Sequence, residues 1–179
     1  MSSVSAHPQE SAPTIPQGSP ASDPEWQEML RAVDRVRDAL GKAVDPGIRE
    51  TVAVLNLLGF TTRQSCEGHV NERGFGLPSP WVDIDLSPRG DGMPERRIRR
   101  LLDDFYRSRE SSGDIRLRWE DGRLQAGDDH DGLESVRRRV EAGALAGEDL
   151  RRLGAILASR QKEMRDFTEF LKERRRGRP

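Results

Sequence analysis

Cys66 and His69 stand three residues apart in the run Ser65-Cys66-Glu67-Gly68-His69, and Cys66 is the chain's only cysteine. A thiol does chemistry when its surroundings stabilise the thiolate, as a protonated imidazole can. A turn at Gly68 could bring sulfur and ring nitrogen into hydrogen-bond reach. Asp83 or Asp85, further along the chain, could orient the ring, giving a nucleophile–base–orienter set. The catalytic expectation is therefore Cys66, His69 and Asp83. The plainer reading makes Cys66 a small buried residue at a strand end and Gly68 the residue that permits a tight turn.

The same residues admit a metal reading. Cys-x-x-His supplies two ligands, and Glu67, Asp83 or Asp85 could add oxygens. Structural zinc sites use four Cys or His ligands, and no second such pair is present. No metal residues are therefore expected, and a partial centre with open positions is the metal alternative. Donors for a small polar ligand are nearby: Thr62, Arg63, Ser65, Glu67, Arg73, Trp81 and Asp85 are the expected binding residues. No cofactor follows from them. His130, among Asp128, Asp129 and Asp131, reads as a solvated loop histidine.

The chain has 179 residues, 34% hydrophobic and 34% charged, with a net charge of −1. That is enough for one modest core plus solvated segments. A near-zero charge gives no overall field toward nucleic acid or membrane. One cysteine cannot form an internal disulfide, which fits a reducing cytosol. No apolar run approaches the roughly 20 residues of a membrane span, and the N-terminus lacks the pattern of a secretory signal. The expectation is a cytoplasmic protein without a membrane partner.

The elements that must position the site follow from pattern. Residues 1–22 are rich in Ser, Pro and Gln and read as a disordered tail. Ser22-x-x-Glu25 reads as a capping box opening a helix that ends near Gly41, its stripe running from Trp26 through Val36 to Leu40. Asp45-Pro46 opens a second helix, stopped by Gly59 with Phe60 folded back. A short strand from Thr61 to about Ser65 follows, then a Gly/Pro loop over 67–80. An alternating strand occupies Trp81–Leu86. Pro94 opens a third helix with Ile98, Leu101, Leu102, Phe105 and Tyr106 on one stripe. Ile115–Trp119 and Arg123–Ala126 form a hairpin about Asp121-Gly122.

Helical stretches over 133–142 and 148–174 complete the chain. Leu150, Leu153, Leu157, Met164, Phe167 and Leu171 repeat at three- and four-residue steps, with Arg160 interrupting. This is coiled-coil-like spacing, suited to packing at home or to docking a helical partner or second copy. The domain expectation is a tail over 1–22, an α+β domain over 23–146, a long amphipathic helix over 147–174 and a basic tail over 175–179. The fold expectation is α+β: a small four-stranded mixed sheet with helices packed on one face and a long C-terminal helix. If strands 81–86 and 115–119 are neighbours, the helix between them makes a right-handed parallel crossover.

Arginines cluster at 96, 97, 99 and 100, at 137–139 and at 174–178, with acidic residues at helical spacing from many of them. Local ion pairs are the default there, and the terminal arginines are the least neutralised. Nucleic-acid binding ranks below ligand binding on these grounds.

The run from Leu55 to His69, followed by Gly76-Leu-Pro-Ser-Pro-Trp-Val-Asp-Ile-Asp, is similar to small uncharacterised bacterial and phage proteins. In these a helix leads into Ser-Cys-x-Gly, a proline-containing loop and a strand. Thr61–Gly68 also resembles a Thr-Thr-Ser-Ser-Cys-Ser-Gly run of the tRNA wybutosine-synthesis methyltransferase family, with His69 where that family has arginine. That second resemblance implies S-adenosylmethionine and tRNA. The residues themselves point to a Cys/His-centred site that binds or transforms a small polar ligand. The alternative is a non-enzymatic interaction protein that engages a partner through its last helix.

Overall fold

A computed structural model describes residues 23–70, 79–87, 94–109, 115–127 and 147–177. The expected N-terminal tail, Arg73, the loop around His130 and the helix over 133–142 lie outside the described residues. The described elements are helices α1 (Pro24–Arg35) and α2 (Arg49–Leu57), strands β1 (Thr62–Cys66) and β2 (Trp81–Ile84), helix α3 (Pro94–Arg107), strands β3 (Arg116–Glu120) and β4 (Arg123–Gly127), and helix α4 (Gly147–Arg176).

The architecture is α+β, with one four-stranded sheet in the order β1-β2-β4-β3. Among the described residues every strand pairing is antiparallel, so the sheet is not the mixed one expected. The physical reason lies in the hairpin. Asp121 and Gly122 both take positive φ, 47° and 85°, the conformation of a two-residue turn that matches strand twist. That turn lays β4 against β3, and β4 then inserts beside β2. Strands β2 and β3 run parallel to each other but are not neighbours, so α3 crosses over an intervening strand.

Alternation fixes which face is buried. Val82, Ile84, Leu117, Trp119, Leu124 and Ala126 are all buried on the face that meets the helices. They share one core with Phe105 of α3 and Phe167 of α4. Phe105 meets Phe167 edge-on, ring centroids 5.2 Å apart. Tyr106 binds the sheet to α4: its hydroxyl accepts the Leu117 N–H and donates to Glu163 Oε1. Burial pushes this phenol well above its usual value.

The C-terminal half of the α4 apolar repeat is used at home. Met164, Phe167 and Leu171 are essentially buried in the shared core, and Arg160, the interruption in the repeat, is buried too. Two of the terminal arginines are held in ion pairs. Arg174 pairs with Asp104, and Arg175 pairs with Asp23 and Glu25 at the start of α1. Arg175 and Arg176 are helical, not a tail. No helix among the described residues is long and apolar enough to cross a membrane.

Helix α1 differs from expectation at both ends, and its early C-terminal end shapes the site. The described N-cap of α1 is Asp23, whose carboxylate accepts the Trp26 N–H at 3.1 Å. The helix stops at Arg35, one turn and more before Gly41. Val36 turns extended and Leu40 is 92% exposed, so the apolar stripe does not continue to Leu40. At the end of α2 the expected stop is present: Gly59 has φ 83° and the Phe60 N–H donates to the Leu55 carbonyl at 3.0 Å.

Candidate functional site

The early end of α1 creates the first wall of the site. Asp38 Oδ1 accepts the N–H groups of Leu40 and Lys42 at 2.9 and 2.8 Å, closing a tight turn through Gly41 at φ 77°. The chain doubles back, with Arg37 bridging to Ala43. Lys42 and Asp45 are thereby carried to the C-terminal end of β1. Asp45 does not open α2; the Ile48 N–H donates to its backbone carbonyl, and the helix begins at Arg49.

The second wall is the turn after Cys66. Gly68 has φ 81°, and a Cβ there would lie 2.7 Å from Leu157 Cδ1 and 2.8 Å from the Ser79 backbone carbon. Only glycine fits such a close approach with that dihedral. The Gly68 N–H donates to Cys66 Sγ at 3.3 Å. The turn is pinned from outside by Gln161 of α4, whose Nε2 donates to the Glu67 carbonyl at 3.0 Å. The Glu67 carboxylate is spent on the Gly47 N–H at 2.6 Å, clamping the α1–α2 connection to the turn.

Between these walls sits Asp45, only 8% exposed. Its Oδ1 lies 3.0 Å from Lys42 Nζ. Its Oδ2 accepts the Glu67 N–H and meets His69 Nε2, each at 3.2 Å. Burial pushes this carboxyl up, but Lys42, the Glu67 N–H and His69 together outweigh it and hold it below the usual carboxylate range. Donor atoms of Asp45, Cys66 and His69 all lie within 4.8 Å of one another. Burial, the largest influence, pushes the Cys66 thiol up; the Gly68 N–H pulls it down, and the Asp45 carboxylate pushes it further up. That is the opposite of an activated nucleophile.

The carboxylate beside the imidazole is thus Asp45, a residue not expected there, and not Asp83. Both Asp83 oxygens are taken by Arg123, at 2.6 and 2.9 Å, and the Arg123 guanidinium stacks 4.0 Å over the Trp81 ring. Asp85 lies past the end of β2 and accepts the Ser87 N–H at 2.9 Å. Asp83, Asp85 and Arg63 line a separate depression. Thr62 is tied to Asn56, whose Nδ2 donates to its hydroxyl at 2.9 Å. In sequence, Asp45-Pro46-Gly47 carries the marks of a turn or helix start, and nothing local sets Asp45 apart as a site residue.

A cleft of about 730 Å³ opens between α1, the α1–α2 connection and β1. Cys66, Asp45, Lys42, Thr62, Arg63 and Trp81 are among the residues that line it, with Ser65 beside them. Of the expected residues, then, the structure gathers Thr62, Arg63, Ser65, Cys66 and Trp81 at one cleft. His69 reaches it through Asp45, while Glu67, Asp83 and Asp85 face other partners. Compared with known proteins, the chain matches no family model, no curated protein and no solved structure.

Proposed function

We propose that the protein binds a small polar ligand in the cleft between α1, the α1–α2 connection and β1, with Asp45 and Cys66 as its polar end. The observation that carries this reading is the buried carboxylate of Asp45, held ionised at the cleft wall by Lys42, a backbone N–H and His69. A buried, oriented charge beside a mixed polar and apolar cavity is what ligand recognition requires. Lys42 and Arg63 add donors for an anionic group, and Thr62 and Ser65 add hydroxyls. Binding is favoured over covalent catalysis because the thiol is raised rather than lowered.

The alternative of a partner docked along α4 has less support. Met164, Phe167 and Leu171 of that helix are already buried in the core shared with the sheet and α3. Titration of the labelled protein with a panel of amino acids, carboxylic acids and nucleotides, followed by two-dimensional NMR, tests the proposal. Selective shifts at Cys66, Thr62 and the Trp81 indole support it. A panel that moves nothing at the cleft, or moves it equally in Asp45→Asn, counts against it.

A further inference from the structure

The arrangement of Asp45, Cys66 and His69 resembles a coordination shell more than a catalytic triad. The imidazole pairs with the carboxylate, the sulfur takes a backbone N–H, and the three donor atoms converge within 4.8 Å. Two donors bound about 2.0–2.1 Å from a tetrahedral cation are themselves about 3.3 Å apart. The observed Nε2–Oδ2 spacing is 3.2 Å. Sulfur, imidazole and carboxylate together are a ligand set suited to zinc-class cations rather than to calcium or magnesium.

We infer that Asp45, Cys66 and His69 bind one divalent cation of the zinc class, leaving a coordination position open for an oxygen donor of the cleft ligand. The inference deepens the cleft reading and rests on it only for that open position. Three features prepare the shell. Lys42 occupies Oδ1 of Asp45, which leaves Oδ2 turned toward His69. The Glu67 N–H fixes that oxygen, and the Gly68 N–H points at the sulfur, as outer partners do around metal ligands. Gly68 lies so close to Ser79 and Leu157 that even a Cβ would clash, which leaves the turn no room to shift toward them. On binding, the thiol S–H bond breaks, the sulfur electron pair goes to the cation and its proton passes to solvent, while the His69 ring proton moves from Nε2 to Nδ1 so that the Nε2 lone pair faces the cation. Three protein ligands with one open position is the arrangement of zinc sites that act on a ligand rather than merely brace a fold.

The test uses the full chain loaded with zinc, gel-filtered and assayed for metal content, then repeated with cobalt as a spectroscopic probe. One equivalent of zinc and a thiolate-to-cobalt charge-transfer band are expected. Cys66→Ser, Asp45→Asn and His69→Ala should each weaken binding about tenfold or more with unchanged circular dichroism. His7→Ala and His130→Ala, which change the chain's other two histidines, should bind as before. Substoichiometric zinc, or full binding without the charge-transfer band in the intact protein, overturns the inference. So does full retention in Cys66→Ser together with Asp45→Asn. The ligand panel repeated on chelator-stripped protein separates the two readings. Cleft shifts without any metal binding leave the ligand reading standing and refute the cation; stoichiometric metal without cleft shifts does the reverse.

Discussion

At the scale of single residues, the site turns on which carboxylate meets His69. Cys66 and His69 were legible because Cys-x-x-His about a glycine is a local pattern. Asp45 was not, because it lies 24 positions from His69 and arrives only through the reversal at Asp38. Asp83 looked like the partner because it alternates onto the polar face of β2, but Arg123 on the neighbouring strand claims it. A paired comparison follows. In Asp45→Asn the His69 ring signals should shift and broaden in NMR spectra, while in Asp83→Asn they should stay where they are. Asp83→Asn breaks a partly exposed ion pair and should cost no more than about 1 kcal/mol in a urea titration. Equal effects of both changes on His69 would refute the assignment.

At the scale of elements, capping and turn chemistry decide where the site residues go. The Asp121-Gly122 hairpin and the Gly59 stop were readable because glycine and aspartate at those offsets have one conformational use. The end of α1 was not: Val36 and Leu40 continue the helical stripe, yet the Asp38 side chain offers Leu40 and Lys42 an alternative to helix. Gly68 is the element on which Cys66 and His69 both depend. Gly68→Ala must adopt φ 81° and press a methyl against Ser79 backbone. It should lose about 1–3 kcal/mol of stability or more; a thermal melt matching wild type would show that the turn is not held as described.

The start of α1 and the end of α4 are joined by Asp23 and Arg175. Arg175 is the main reason, and the Trp26 N–H the next, that Asp23 sits below its ordinary value of 3.8. A carboxyl lowered in the folded state adds stability that is complete above its unfolded value and disappears as pH falls through the folded one. The stability gap between wild type and Asp23→Asn should therefore be flat above about pH 5 and shrink on acidification below it. Urea midpoints across that range check the sign, and a gap that widens in acid would contradict it.

For the whole molecule, layer architecture was legible and strand order was not. Alternation in Trp81–Ile84 and Arg116–Glu120 and the stripe of α3 required a sheet covered by helices. Nothing in either strand said that β4 would insert between them, because antiparallel insertion depends on a long-range pairing. The spacing of α4 was equally ambiguous between docking and core packing, and burial of Met164, Phe167 and Leu171 puts its C-terminal half in the core. Phe167→Ala should accordingly cost about 3–5 kcal/mol, a large part of the ~5–15 kcal/mol of a small domain. A loss under about 1 kcal/mol by chemical denaturation would place α4 outside the core.

The measurement closest to the central claim is the rate at which iodoacetamide alkylates Cys66, followed by mass spectrometry with and without one equivalent of zinc. If sulfur, imidazole and the Asp45 carboxylate form one centre, zinc slows the reaction sharply in the intact chain and has little effect in His69→Ala or Asp45→Asn. An identical rate with and without zinc in the intact chain would contradict it.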